Sequence, residues 1–372
     1  PITAFPSDNE VIVDYVGFAT TLEGGFSGVS FLDEWAWSLD LTRSISDGDY
    51  SGDAILVDRS GDVLDTPNVQ TFDPLRPGWL DGTDTSLYDD VSACVTGNTK
   101  YKQTVAKGVL SGPLFDLPAG EVLAGILVEG RKYSIDDQPS EESVNGNLWG
   151  SSSALPTEGE EDVFELAAEF DIPILKGAPF AEELTLNVSA RTFNYATYGT
   201  GDVWKVQGNW QIAPALRLRA TKGTSFRAPA LFETFQGATT AFASQLGIAP
   251  CIDWGESTNQ NLQTNCASLG IPADYAGGAT SATIVSEGGG TFLTPETSEA
   301  TTFGIVITPS EANFSLAIDY FDITVDDQIA QLGSGQVVGG CYLGDTFPNV
   351  FCDLLQRNSA DAVQPFAITE VR

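Results

Sequence analysis

The chain has 372 residues, with 51 acidic side chains against 17 basic ones and a formal net charge of −34. That acid excess excludes a nucleic-acid surface and attraction to anionic lipid, and 42% hydrophobic residues exclude a disordered acidic tail. With no His in the chain, imidazole metal sites and His-based catalysis are disfavoured, so no catalytic residue, metal or cofactor is expected.

Apolar and polar residues alternate with period two, the pattern of half-buried strands. Strands are expected near 10–22, 34–44, 100–112, 121–133, 161–174, 183–198, 203–213, 216–226, 297–308 and 313–330, with an eleventh starting near 363. Phe164, Leu166, Ala168, Phe170 and Ile172 form one such row, and Leu184, Leu186, Val188 and Ala190 another. Phe314, Leu316, Ile318 and Tyr320 make a third. The clearest hairpin sets Trp204, Val206, Gly208 and Trp210 on one face and Val203, Lys205, Gln207 and Asn209 on the other. After a tight turn holding Pro214, Leu216, Leu218 and Ala220 alternate with Arg217, Arg219 and Thr221. Pro229 ends the ladder because it has no N–H to give. No run reaches the roughly 18 apolar residues a membrane helix needs, a test that says nothing about membrane strands.

The connections alternate in length. Short ones fall near 23–33, 113–120, 175–182, 213–215 and 309–312; between them lie 45–99, 134–160, 199–202, 227–296 and 331–362, all but one long. In an up-and-down meander alternate connections share a side, so one side carries tight turns and the other long loops. Outer-membrane barrels show that asymmetry, and closing the sheet leaves no backbone edge unsatisfied in lipid.

The runs LRLRATKGTSFRAPALFETF (216–235) and FAEELTLNVSARTFNYATYG (180–199) resemble the barrel domain of TonB-dependent outer-membrane receptors. A strand ending in Phe-Arg-Ala-Pro recurs in that family, and Phe226, Arg227, Ala228 and Pro229 occupy the motif. The resemblance implies an all-β fold: an antiparallel up-and-down transmembrane β-barrel, about half of one of roughly 22 strands. The plug domain and the TonB-contacting segment are expected to be absent. Residues 1–372 are then one partial barrel domain with short periplasmic turns and long extracellular loops 45–99, 134–160, 227–296 and 331–362. Pro1, in place of an initiator Met, is expected to begin a processed chain or a fragment.

By the same resemblance the protein sits in the outer membrane of a Gram-negative cell. It imports a large scarce nutrient, a ferric siderophore or an oligosaccharide, driven by the TonB energy-transducing complex. Two other readings stay open. One is a soluble or surface all-β glycan-binding or adhesin module, in which the Leu184/Leu186/Val188 face would meet a second sheet. The other is a passive porin.

Individual residues are read within that frame. Phe226–Pro229 is expected to be structural, ending a strand and launching a loop, with Arg227 on the lumen side. Cys251 with Cys266, and Cys341 with Cys352, bracket short loop segments and are expected as two local disulfides outside the cell, leaving Cys94 over. The loop aromatics Trp254, Tyr275 and Tyr342, together with Phe292, Phe347 and Phe351, either stack on ligand or pack the loops. Trp35, Trp37, Trp204, Trp210, Tyr195 and Tyr198 are expected in an interfacial girdle. Asp47, Asp49 and Asp53 lack the closing Glu of a calcium loop and read as solvated loop. Asp319, Asp322, Asp326 and Asp327 read as solvated strand-end acids, with a cation site as the alternative.

Overall fold

The alternating runs fold as ten antiparallel strands of a single sheet. The structure is a computed structural model that describes residues 8–26, 28, 32–60, 91–278, 280–310 and 313–372. Strands β1 (Asn9–Gly25), β2 (Ala36–Ile55), β3 (Ser92–Leu117), β4 (Gly120–Gln138), β5 (Thr157–Ala178), β6 (Ala181–Tyr195), β7 (Gly199–Ala213) and β8 (Leu216–Arg227) each pair with the next. The chain then leaves the sheet through β9 (Thr239–Ser244) and β10 (Ser281–Ser286). It returns beside β8 as β11 (Glu296–Ile307) and turns back as β12 (Leu316–Asp326). This is an up-and-down meander with β1 and β12 as its edges, so the sheet is open. Turn chemistry sets the short side: Pro118 and Ala119 join β3 to β4, and Gly120 takes φ +142, which a Cβ would oppose. No plug is evident among the described residues.

The register assembles the alternation into rows that cross the whole sheet. Leu184, Trp210, Leu218, Ile305 and Ile318 are successive partners on β6, β7, β8, β11 and β12. Trp37, Leu110, Ile126, Ala168, Ala190 and Trp204 form a second row from β2 to β7. Large side chains in these rows are uncovered: Ile318 is 61% exposed, Trp204 39% and Ile126 38%. Phe164 to Ile172 spans about 20 Å along a membrane normal at the usual strand rise and tilt, close to the apolar band of a membrane barrel. The band stops at the long-loop end, where charged pairs take the same-face positions. These are Lys100–Asp47 at 2.9 Å, Lys132–Glu160 at 3.0 Å and Lys222–Glu299 at 3.0 Å. The opposite face is polar: Asn187 donates to Glu169 and Asp171 at 2.6 and 2.7 Å, and Arg219 pairs with Asp319 at 2.7 Å.

Several strands run further than the apolar alternation does. β2 reaches Ile55 and β3 starts at Ser92, so the expected loop 45–99 shrinks, and 61–90 lies outside the described residues. Asp47, Asp49 and Asp53 therefore sit in a ladder, not in a loop. Cys94 also corrects the expectation, lying on β3 opposite Asp53, exposed and unbridged. Polar cross-strand pairs sustain these extensions: the Asn98 amide donates to Asp47 at 2.7 Å and to Asp49 at 2.8 Å. β4 and β5 likewise trim the loop 134–160 to 139–156.

The eleventh strand is also misplaced by the sequence reading. Ile368–Val371 forms β14, which joins β13 (Leu355–Arg357), β10 and β9 in a separate four-stranded sheet, pairing with β10 in parallel. The two long connections after β8 and β12 thus fold together. Their shared core includes Leu262, Ile271, Val337, Val338 and Ile368. The apolar face of the large sheet remains open, so it does not pack on a second sheet.

Candidate functional site

The Phe-Arg-Ala-Pro motif sits where β8 leaves the sheet. The β7–β8 ladder ends at Lys205 and Gly223, so Phe226 lies beyond it. Its ring packs on Phe193 and Tyr195, with centroids 4.0 and 5.5 Å away. Arg227 donates to both Glu296 oxygens at 2.8 Å and to Glu233 at 2.9 and 3.2 Å. Glu233 in turn accepts the Ala230 N–H at 2.7 Å and so opens the short helix Leu231–Phe235. Glu296 accepts the Ile329 N–H at 2.9 Å. One guanidinium therefore ties the end of β8 to the start of β11, to the helix and to the chain beyond β12. The Arg227 hydrogen bonds hold the Glu233 carboxyl below the usual range, helped by the Ala230 N–H. By register Arg227 shares the polar face with Ser225–Ser298 and Arg219–Asp319. Ala228 packs beside Phe226, and Pro229 is buried.

Behind the motif lies a second loop assembly, held by two disulfides, Cys251–Cys266 and Cys341–Cys352. The loop aromatics singled out as ligand candidates hold this unit together. Trp254 donates its indole N–H to Ile271 O at 3.1 Å, and the Tyr275 hydroxyl donates to Pro365 O at 3.0 Å. Tyr342 is 4% exposed; its hydroxyl accepts from Arg357 at 3.0 Å, and the guanidinium lies 5.2 Å over its ring. Phe347 and Phe351 pack against the same core, whereas Phe292 is 95% exposed. Gln245, absent from the sequence reading, is fully buried and clasps Ile368. It accepts the Ile368 N–H at 3.0 Å and donates to the Ile368 carbonyl at 2.5 Å.

The six residues expected in a girdle divide between the two faces of the sheet. Trp37, Trp204 and Trp210 stand on the apolar face. Trp35 is buried, its indole N–H donated to Pro113 O at 2.9 Å. Tyr195 packs with Val163 and Phe193, and Tyr198 bonds the Thr234 hydroxyl beside the short helix. Tyr195 lies on the polar side by its odd position in β6, and the chain after β8 folds back over that side.

The polar face also carries two buried carboxylates that the sequence reading missed. Glu165 is 5% exposed and lies 3.2 Å from Arg191 and 3.7 Å from Arg131. Glu161, 2% exposed, accepts the Thr197 N–H at 3.0 Å. Their odd positions in β5 place them on that face, a signal visible in the sequence; their burial depends on the covering loop. Asp319 is taken up by Arg219, and Asp322 pairs in the ladder on the opposite, apolar-face side. The four late aspartates do not converge. Among the described residues no group of three or more His, Cys, Asp or Glu gathers to hold a metal.

A family model described as TonB dependent receptor-like, beta-barrel matches residues 6–363. No curated protein matches the chain. The siderophore receptor PirA from Pseudomonas aeruginosa is similar at TM-score 0.43 and 11% identity, over 96% of this chain and 50% of that one. The RagAB peptide importer in its open-open state is similar at TM-score 0.49 and 10% identity, over 87% of this chain and 31% of that one. A mutant of the ferric enterobactin receptor PfeA from Pseudomonas aeruginosa is similar at TM-score 0.41 and 14% identity, over 78% and 34%. The chain spans half or less of the length of these structures. With the match covering nearly all of its length, the chain belongs to the TonB-dependent receptor β-barrel family, an outer-membrane family of transport receptors.

Proposed function

We propose that this chain forms part of the wall of an outer-membrane importer in a Gram-negative cell, and that it moves a large scarce nutrient inward under the drive of the TonB complex. Phe226–Pro229 anchors the loops at the mouth. The stapled loop unit and the polar face contact the ligand, an oligosaccharide or a ferric siderophore. The observation that supports this reading is the two-faced sheet. Its apolar rows are uncovered and end at a line of charged pairs, while the other face holds paired Arg, Glu, Asp and Asn. A soluble sandwich would bury those rows.

The test is uptake of candidate nutrients by cells carrying the full-length receptor, with and without a working TonB complex. Import is expected to cease when TonB is removed or the proton gradient is collapsed. Unchanged uptake in both conditions points instead to a passive pore.

A further inference from the structure

Where β7 and β8 part, the wall opens. Above the Lys205–Gly223 rung, β7 continues to Gly199 paired only with β6, and β8 continues to Arg227 paired only with β11. A cavity of about 560 Å³ fills the gap, within the range of small-ligand sites. Beyond the Trp204 N–H, which donates to the Thr224 hydroxyl at 3.1 Å, the two parted strands have no ladder bonds to each other along these edges. Tyr198 and Phe226 supply ring surface; Thr200 and Thr297 supply hydroxyls; Asp202 and Asp327 supply carboxylates. No Lys or Arg lines the cavity among the described residues. Of the cations that flank it in sequence, Lys222 is paired with Glu299 at 3.0 Å and Arg227 with Glu296 at 2.8 Å, and Lys205 lies outside the lining.

We propose that this cleft is a binding site for a neutral, polyhydroxylated ligand, a saccharide unit, and that it selects against anionic ligands. The proposal rests on the import reading above and narrows its substrate class. The chemistry is complementary on each count. Sugar hydroxyls donate to the carboxylates and to the free edge carbonyls, and accept from the edge N–H groups and threonines. The C–H face of a pyranose ring lies against the rings of Tyr198 and Phe226. An anionic ligand meets Asp202 and Asp327 with no Lys or Arg in the lining to offset them, an unfavourable entry in a partly desolvated cleft. The same absence of positive charge extends into the chain that follows: residues 228–296 contain no Lys or Arg.

The experiment uses the full chain folded in detergent micelles, screened on an array of neutral glycans. Binders are then titrated by calorimetry against the wild type, Thr200→Val and Asp327→Asn. Circular dichroism and folded-state gel mobility confirm that each variant retains its barrel. Spermidine and a ferric tris-catecholate complex serve as cationic and anionic probes. At least one neutral glycan is expected to bind, and each substitution is expected to weaken it about tenfold or more. The proposal is overturned if no glycan binds, if neither substitution changes binding, or if spermidine or the ferric complex binds more tightly than any glycan. TonB-dependent uptake of a ligand indifferent to both substitutions sinks the cleft and spares the import reading. Glycan binding at the cleft without TonB-dependent uptake does the reverse.

Discussion

Two residues at the strand ends carry more than their neighbours. Gly223 closes the last β7–β8 rung, and a Cβ there would sit 2.7 Å from the Trp204 carbonyl oxygen and 3.1 Å from Lys205 Cα. Both are backbone atoms, so the strain cannot be relieved by rotating a side chain. Gly223→Ala is expected to destabilise the barrel by about 1–3 kcal/mol, read as a lower urea midpoint in lipid vesicles, and an unchanged midpoint would refute the close approach. Arg227 acts through charge. Because its hydrogen bonds lower the Glu233 pKa in the folded state, the clamp contributes stability above the ordinary carboxylate range. That contribution is lost as pH falls through the lowered value. Limited proteolysis of 228–238 should therefore stay slow at neutral pH and accelerate on acidification. In Arg227→Met it should be fast already at neutral pH and respond less to acid.

At the scale of elements, ten strands could be found by alternation because each presents one face to an apolar surrounding and one to water, and only period two allows that. The strand ends were less legible. Beyond the apolar band the ladder is carried by pairs such as Lys100–Asp47 and Asn98–Asp49, whose residues read as loop in a single sequence. The loop unit was the least legible. Its pairing of β10 with β14 joins segments more than 80 residues apart, as the partners Thr283 and Glu370 show. Gln245 holds that junction. Gln245→Leu leaves the Ile368 N–H and C=O unpaired in a dry core, at a cost of about 1–3 kcal/mol for each group. Hydrogen exchange should then show β14 released while β1 to β8 keep their protection. Equal protection of β14 in the variant and the wild type would show that the clasp is dispensable.

For the molecule as a whole, the decisive property is which face meets which solvent. Val188 lies in the apolar band and Asn187 beside it faces Glu169 and Asp171. Val188→Arg puts a charge into lipid and should cost about 2–4 kcal/mol of folding free energy in vesicles. Asn187→Arg gains carboxylate neighbours and should be nearly neutral. Similar costs at the two positions would remove the basis for a membrane-facing band.

The residues by themselves determined the ten strands of the large sheet, its two faces, the sorting of short turns from long loops and the cysteine partners. All of these follow from local period, turn chemistry and short chain separations. Three things were decided only by the tertiary structure. Tyr342 was buried and Trp254 and Tyr275 packed against the loop core, Tyr195 and Glu165 were covered, and β7 parted from β8. Each depends on where a distant segment comes to rest, and burial is a property of that meeting rather than of either segment alone.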